Sequence, residues 1–203
     1  IEIHPVNPQP RLIRQVAEQF QTGALVALPT DASYVLACHL EDRTAVDRMR
    51  QLRGIDEKHL LTLLCRDLSE LSQYAQVDNR QFRFLKEWTP GAYTFILPAT
   101  REVPRRLMHP SRKTVGLRVP EAPIVQALLA ELGVPLLCAS LILPGDENPL
   151  SDPDDIEDRI GKRIDLLVDG GAGQLEATSV IDVTGDEPVI QRVGLGPVEA
   201  MLR

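Results

Sequence analysis

Aromatic side chains are scarce in this chain: phenylalanine, tyrosine and tryptophan together make up only 4% of its 203 residues. A protein that binds single-stranded nucleic acid by stacking bases on rows of aromatic rings needs more of them, so that class is disfavoured. The formal net charge of −7 also argues against a surface that coats a polyanion. It still permits a local basic patch, which is all that phosphate contacts require.

Cysteine is rare too, and its spacing disfavours two kinds of site. Cys38, Cys65 and Cys138 lie far apart, and the chain has no C-x-x-C motif and no Cys/His cluster. Structural zinc and a disulfide framework are therefore disfavoured, and we expect buried free thiols in a reducing compartment. No histidine pair has the spacing of metal ligands, so no metal-binding residue is predicted.

Long apolar runs and nucleotide-binding fingerprints are also missing. No run approaches the roughly 18 residues that suggest a membrane-spanning helix, and no signal peptide opens the chain, which predicts a cytoplasmic protein with no membrane partner. Gly161-Lys162 lacks the rest of a phosphate-binding loop. Residues 170–173 lack the third glycine and the helix start of a dinucleotide site, so we interpret them as a turn.

Helix-like and strand-like segments intermix without strict alternation, which predicts a mixed α/β sheet rather than a doubly wound parallel one. The length and the hydrophobic content of 43% fit a single domain over residues 1–203. Helices are predicted over residues 9–21, 42–52, 67–75, 79–88 and 120–132, with a short one that is capped at Ser151 and ends at Ile160. Strands are predicted over residues 24–28, 60–65, 93–97, 115–119, 135–141, 166–168, 178–183 and 189–192.

Arg118 is the most informative residue, because it places a guanidinium in the middle of a strand-like run. Val115, Leu117 and Val119 fall on one face of that strand and Arg118 on the other, beside Gly116. Burying this charge is unfavourable unless an anionic group meets it. Because Gly116 has no side chain, we expect a ligand or another backbone to approach closely there. The pattern predicts a pocket for something negatively charged.

Two further segments have both a functional and an ordinary interpretation. The densest basic segment is either a solvated face or a rim that holds RNA through its phosphates. Thr30 and Asp31 follow a predicted strand, at a place where ligands often meet α/β sheets, but they also fit a simple turn capped by Asp31. The basic segment consists of Arg101, Arg105, Arg106, Arg112 and Lys113.

Five blocks in order resemble the YrdC/YciO family and together cover nearly the whole chain. Residues 28–34, Leu-Pro-Thr-Asp-Ala-Ser-Tyr, resemble its Y-P-T-[ED]-x-x-[FY]-G-L block, and residues 114–120 resemble V-[AG]-[VL]-R-x-P. The other three matches are residues 88–95 to W-P-G-P-x-T-[FL], residues 135–140 to P-[LI]-[VI]-S-T-S, and residues 178–182 with 192–194 to the closing S-T-V-[VI]-D and [IV]-x-R-x-G pair.

The resemblance implies a single twisted α/β sheet around a concave, positively charged cavity. It also implies synthesis of L-threonylcarbamoyladenylate from ATP, threonine and bicarbonate, with Mg²⁺ accompanying the triphosphate, no tightly bound cofactor, and binding of double-stranded RNA or tRNA. The product serves the threonylcarbamoyl modification of adenosine in tRNA. Carried over by motif, Thr30, Arg118 and Thr178 contact threonine, while Thr114, Ser140 and Arg192 contact the nucleotide.

Two family motifs are altered. In the family, the K-x-R motif is followed by a third cation. Here it becomes Arg53-Gly54-Ile55 followed by His59, so the middle cation is lost. Lys58 replaces part of the lost charge only if the loop shifts by one residue. The S-x-N motif becomes Ser140-Leu141-Ile142. Arg118, Arg53 and Lys58 are thus the expected catalytic cations and His59 a substrate contact. These changes resemble the YciO branch of the family.

Three functions are compatible with these residues. The first is a threonylcarbamoyladenylate synthase, which we expect to be slow because of the altered motifs. The second is a non-catalytic module that binds RNA or nucleotide. The third is an adenylate-forming enzyme for another amino acid, because His59 and Leu64 change the small-substrate end of the family's site.

Overall fold

The computed structural model describes residues 1–202, in which six α-helices and nine β-strands are found. The helices are α1 (Pro10–Gln21), α2 (Arg43–Arg53), α3 (Leu68–Tyr74), α4 (Asn79–Trp88), α5 (Pro123–Leu132) and α6 (Pro153–Ile160). The strands are β1 (Val26–Leu28), β2 (Val35–His39), β3 (Thr62–Leu64), β4 (Tyr93–Pro98), β5 (Thr114–Arg118), β6 (Leu136–Ser140), β7 (Leu166–Leu167), β8 (Ser179–Asp182) and β9 (Val189–Arg192).

All nine strands form one twisted sheet in the order β7-β1-β2-β6-β3-β5-β4-β8-β9. Three neighbouring pairs are parallel, namely β1 with β7, β3 with β5, and β4 with β8. The remaining neighbours are antiparallel. The prediction of a mixed α/β sheet is therefore confirmed.

Apolar side chains of the helices cover both faces of the sheet. On one face, Phe20 of α1 and Leu128 of α5 share a buried cluster with Val26 of β1. On the opposite face, helices α2, α3, α4 and α6 join a larger buried cluster, to which α2 contributes Met49 and α4 contributes Leu85. Burial of these two apolar layers is the main force that holds the sheet and helices together.

Helix boundaries follow local capping chemistry. The side chain of Asp42 accepts a hydrogen bond from the N–H of Ala45 at the start of α2, and Gly54 ends that helix in the left-handed conformation with φ 66°. Asp78 and Gln81 form a reciprocal capping box at the start of α4. Gly54 fixes where α2 ends, and therefore where Arg53 is presented to the rest of the protein.

The structure corrects three details of the sequence prediction. Strand β2 was not predicted, because its first four residues are all buried and lack the polar alternation that marks a half-buried strand. Helix α5 begins at Pro123 instead of Pro120. Helix α6 is capped by Asp152 instead of Ser151, since Pro153 occupies its first turn. No helix within residues 1–202 has the length and apolar character needed to cross a membrane.

Candidate functional site

A cavity of about 310 Å³ opens on the face of the sheet that also carries α1 and α5. Its floor follows the strand register, in which Thr62 of β3 lies between Cys138 of β6 and Gly116 of β5. Ile96 of β4 is the next partner of Gly116 along the same row. The floor is therefore assembled from four strands that are distant in sequence but adjacent in the sheet.

Among residues 1–202, three guanidinium groups line this cavity, each presented from the end of a different element. Arg53 is the last residue of α2, Arg118 the last of β5 and Arg192 the last of β9. The side chain of Arg118 is nearly fully buried, whereas Arg192 is partly exposed. Arg53 is also buried, so two of the three positive charges are buried and that of Arg192 is not.

Arg118 meets an anion supplied by the protein itself. Its Nη2 donates to Asp31 Oδ1 at 2.9 Å and to Thr30 Oγ1 at 3.2 Å. The other carboxylate oxygen of Asp31 accepts a hydrogen bond from the N–H of Glu121 at 2.8 Å. Arg118 Nε is buried and has no hydrogen-bond partner in residues 1–202. Part of the guanidinium is thus fixed by Asp31, and part is left unsatisfied.

The hydroxyl of Thr30 forms hydrogen bonds within the turn in addition to the one it accepts from Arg118. Its Oγ1 donates to the carbonyl of Ser33 at 2.8 Å and accepts from the N–H of Ala32 at 3.0 Å. Thr30 lies beside Arg118 but is not among the residues that line the cavity. The predicted turn is present, and Thr30 rather than Asp31 supplies its side-chain hydrogen bonds.

Backbone carbonyl groups hold the other two guanidinium groups. Arg53 Nη1 donates to the carbonyls of Ser140 at 2.9 Å and Ile142 at 3.2 Å, so α2 is tied to the end of β6. Arg192 Nε and Nη2 donate to the carbonyl of Thr178 at 3.0 and 2.7 Å. Partial burial and the neighbouring Arg192 lower the pKa of Arg53. Partial burial and Arg118 likewise lower the pKa of Arg192. The cations therefore repel one another across the cavity.

Hydroxyl groups complete the cavity wall. Thr94 Oγ1 and Thr178 Oγ1 are hydrogen-bonded at 2.7 Å, and both residues are buried. The expectation of a close approach to Gly116 is met by side chains instead of a ligand or backbone. A Cβ added at Gly116 would lie 2.8 Å from Thr62 Oγ1 and 3.1 Å from Thr94 Cγ2. Glycine at this position is what lets the two threonines pack against the strand.

The turn after α2 separates His59 from Lys58. The N–H of His59 bonds to the carbonyl of Asp56, and the N–H of Lys58 to the Asp56 side chain. This tight turn directs His59 to the rim of the cavity, while Lys58 is exposed and does not line it. Partial burial and the nearby Arg53 lower the pKa of His59 below 6.5. The structure does not bring the predicted catalytic Lys58 to the other cations.

The remaining predicted site residues are divided between the cavity and its surroundings. Ser140 and Thr178 line the cavity. Thr114 points to the same side of β5 as Arg118, but it lies four residues earlier, roughly 13 Å along the strand, and is not part of the lining. Leu64 packs into the buried apolar cluster below α1 and α5 and does not reach the cavity.

The basic segment does not act as one surface. Arg101, Arg105 and Lys113 line a groove of about 530 Å³. Arg112 is exposed and lies 3.8 Å from Asp182. Arg106 turns inward and donates to the carbonyl of Leu40, so it is separated from the predicted RNA contacts. The segment is thus divided among groove-lining, exposed and inward-turned side chains, and contact with RNA phosphates stays a prediction.

Several cavity residues were not predicted from the sequence, among them Thr62, Thr94, Gln191 and Cys138. They come together because β3 and β4 pair with β5, β6 pairs with β3, and β9 lies two strands beyond β4 in the same sheet. A polar residue in an apolar strand was the one available signal, and Thr62 and Thr94 both show it. Within residues 1–202, no group of three or more His, Cys, Asp or Glu side chains could hold a metal ion.

Comparison with known proteins identifies the family. The family model for Sua5, YciO and YrdC proteins, described as telomere recombination, matches residues 18–194. The chain belongs to this family. YciO of Escherichia coli (strain K12) is 52% identical over 200 residues, which cover 98% of this chain and 97% of that protein. The resemblance to the YrdC/YciO family predicted from the sequence is confirmed.

Solved structures agree with this assignment. The crystal structure of E. coli YciO matches with a TM-score of 0.96 at 51% identity, covering 99% of this chain and 98% of that one. P. abyssi Sua5 complexed with L-threonine matches with a TM-score of 0.89 at 26% identity, covering 99% of this chain and 59% of that longer one. The threonylcarbamoyl-AMP synthase of Halorhodospira halophila (strain DSM 244 / SL1) is 30% identical over 178 residues, covering 87% of this chain and 92% of that protein.

Proposed function

We propose that the cavity binds ATP and threonine and forms L-threonylcarbamoyladenylate from them and bicarbonate. The observation that carries this proposal is the convergence of Arg53, Arg118 and Arg192 on one cavity. Three guanidinium groups that repel one another, two of them buried, are stabilised by a polyanion, and a triphosphate supplies several negative charges in one ligand. The family's named synthases and the threonine complex of P. abyssi Sua5 support the choice of reaction.

The residues would act by position and charge. Arg192 and Arg53 would contact the phosphates, while Arg118 and the adjacent Thr30 would contact the amino acid. The amino nitrogen of threonine bonds to the carbon of bicarbonate with loss of water, which forms the carbamate. A carboxylate oxygen of this carbamate attacks the α-phosphorus, and the bond from that phosphorus to the oxygen of the leaving group breaks, which releases pyrophosphate. Fixed cations stabilise the negative charge that develops on the phosphates. Mg²⁺ would be held chiefly by the phosphates, as is usual for this ion.

The altered motifs predict slow catalysis. Gly54 and Ile55 supply no middle cation, and the side chain of Ile142 lines the cavity where the family motif has an amide. Hydrogen bonds to charged groups contribute roughly 1.5–3 kcal/mol each. Losing two of them would slow the reaction on the order of a hundredfold or more, at about 1.36 kcal/mol per factor of ten.

The test is threonine-dependent formation of pyrophosphate by the purified protein with ATP, Mg²⁺ and bicarbonate. Omitting threonine is the first control, and an Arg118→Ala variant is the second. A panel of other amino acids tests the adenylate-forming alternative, because His59 and Leu64 change the family's small-substrate end. Release of pyrophosphate that does not depend on any amino acid, or that persists in Arg118→Ala, would contradict the proposal.

RNA binding is a second candidate function, favoured by the groove of Arg101, Arg105 and Lys113. Three cations on one exposed groove fit the phosphates of double-stranded RNA or tRNA, and this function needs no chemistry in the cavity. Replacing all three by glutamine should weaken binding and reduce its salt dependence. Replacing the exposed Arg11 and Arg14 of α1 is the control. RNA affinity that does not change with salt concentration would contradict this function.

A further inference from the structure

The cavity lining is unbalanced in charge. Arg53, Arg118 and Arg192 line it together with the imidazole of His59, and none of the lining residues, all of them in the described part of the chain, carries a carboxylate. Asp31 pairs with Arg118 but stands outside the lining. A polyanion that enters therefore meets three fixed cations and one group whose charge can change.

The charged surroundings of His59 are predominantly positive. Arg53 and Arg50 face it from α2, and Arg192 faces it from β9. Among residues 1–202, the one carboxylate that acts on the imidazole is that of Asp56 in its own turn, and this group is engaged by the N–H of Lys58. Partial burial and these three arginines hold the pKa of the imidazole below 6.5, with Asp56 opposing them. His59 is thus mainly neutral near pH 7 when no anion is bound.

We propose that His59 takes up a proton when a polyphosphate enters the cavity, so that the ligand meets four positive charges where the free cavity holds three. This inference rests on the proposed function in so far as ATP is the natural polyphosphate. It gives this chain a conditional positive charge at His59, the residue that follows the altered K-x-R motif where the family has its third cation. His59 would be a binding residue that is charged only in the complex.

The physical basis is linkage between proton binding and anion binding. Phosphate oxygens near the imidazole would offset the field of the arginines and favour the imidazolium. The pKa of His59 is then higher in the complex than in the free protein. Between the two pKa values, binding consumes a proton from solvent, and affinity rises as the pH falls by up to about tenfold per pH unit for one proton. Above the higher pKa this contribution is lost.

The experiment is calorimetric titration of the full chain at pH 7 in buffers of different ionisation enthalpy, with ATP and Mg²⁺ as one probe and inorganic pyrophosphate as a second. Because phosphates also titrate in this pH range, the decisive quantity is the difference in proton uptake between the wild type and His59→Gln. We expect the wild type to take up more protons and its affinity to rise more steeply toward pH 6. His59→Lys should bind tightly, with no extra uptake and no such pH dependence.

The outcomes separate this inference from the proposed function. ATP that binds with equal proton uptake in the wild type and His59→Gln overturns the inference and leaves the function standing. Pyrophosphate that binds with the extra proton while ATP does not bind supports the inference and overturns the function. If neither probe binds, both are wrong. Equal thermal unfolding midpoints of the three proteins exclude misfolding as the cause of any difference.

Discussion

Arg118 and Asp31 form a buried ion pair, with 2.9 Å between Nη2 and Oδ1 and side-chain exposures of 4% and 10%. Asp31 comes from the turn after β1 and Arg118 from the end of β5, so the pair joins two distant parts of the sheet. The carboxylate also accepts the N–H of Glu121, which leads toward α5. Asp31 therefore fixes the orientation of the guanidinium at the cavity floor.

Replacing Asp31 by alanine should destabilise the protein strongly. The change leaves a buried guanidinium without its anion, which costs about 3–5 kcal/mol in comparable buried pairs. Urea unfolding measures the free energy. The matched control is Asp146→Ala, which removes the exposed pair with Arg159 and should cause a much smaller loss. Equal losses in the two variants would mean that the buried pair has no special role.

Gly116→Ala should destabilise the protein by about 1–3 kcal/mol, because the new methyl group overpacks the cavity wall. The added Cβ would lie 2.8 Å from Thr62 Oγ1. A Thr62→Ala change in the same chain should restore part of the loss by making room. Gly185→Ala is the control, since its nearest neighbour is 4.0 Å away. A Gly116→Ala protein as stable as Gly185→Ala would contradict this packing.

The thiol of Cys138 should make the stability fall in alkaline solution. Burial raises its pKa from 9.0 to about 11, although the neighbouring Arg118 opposes the shift. Above pH 9 the unfolded chain loses this proton while the folded chain keeps it. The stabilisation is therefore complete below pH 9 and is lost as the pH rises to 11, by about 3 kcal/mol. Urea unfolding between pH 8 and 11 should show a shallower decline for Cys138→Ala, and parallel declines would refute the assignment.

Arg192→Gln should weaken ATP binding more than it weakens the fold. Arg192 is partly exposed at the end of the edge strand β9, and its guanidinium bonds to the carbonyl of Thr178. Removing one charge-assisted contact should cost roughly 1.5–3 kcal/mol of binding, or about ten- to hundredfold in affinity. Calorimetric titration with ATP measures it, with Arg83→Gln on the exposed surface of α4 as the control. Unchanged affinity would remove Arg192 from the nucleotide site.

Much of the fold could be predicted from local sequence patterns, because local chemistry determines those patterns. Alternation around Arg118 predicts a strand with a charge on one face, and β5 is that strand. The need for an anion at this charge was also predictable, but its source was not. Asp31 supplies it from 87 residues away in the sequence, and no local pattern encodes that pairing.

The rest of the site depends on register and on the shapes of turns. Thr62 and Thr94 reach the cavity only because β3 and β4 both pair with β5, which is a non-local choice. The turn after α2 separates two adjacent residues: it places His59 at the rim of the cavity and leaves Lys58 exposed and outside the lining. Strand β2 was not predicted, because its first four residues are buried on both faces of the sheet and therefore lack polar alternation.

A crystal structure of the protein with ATP, Mg²⁺ and threonine tests most directly whether the cavity is the reaction site. We expect phosphate oxygens within hydrogen-bonding distance of Arg192 and Arg53, with threonine beside Arg118 and Thr30. Nucleotide bound in the groove of Arg101, Arg105 and Lys113, with the cavity containing neither phosphate nor threonine, would contradict it.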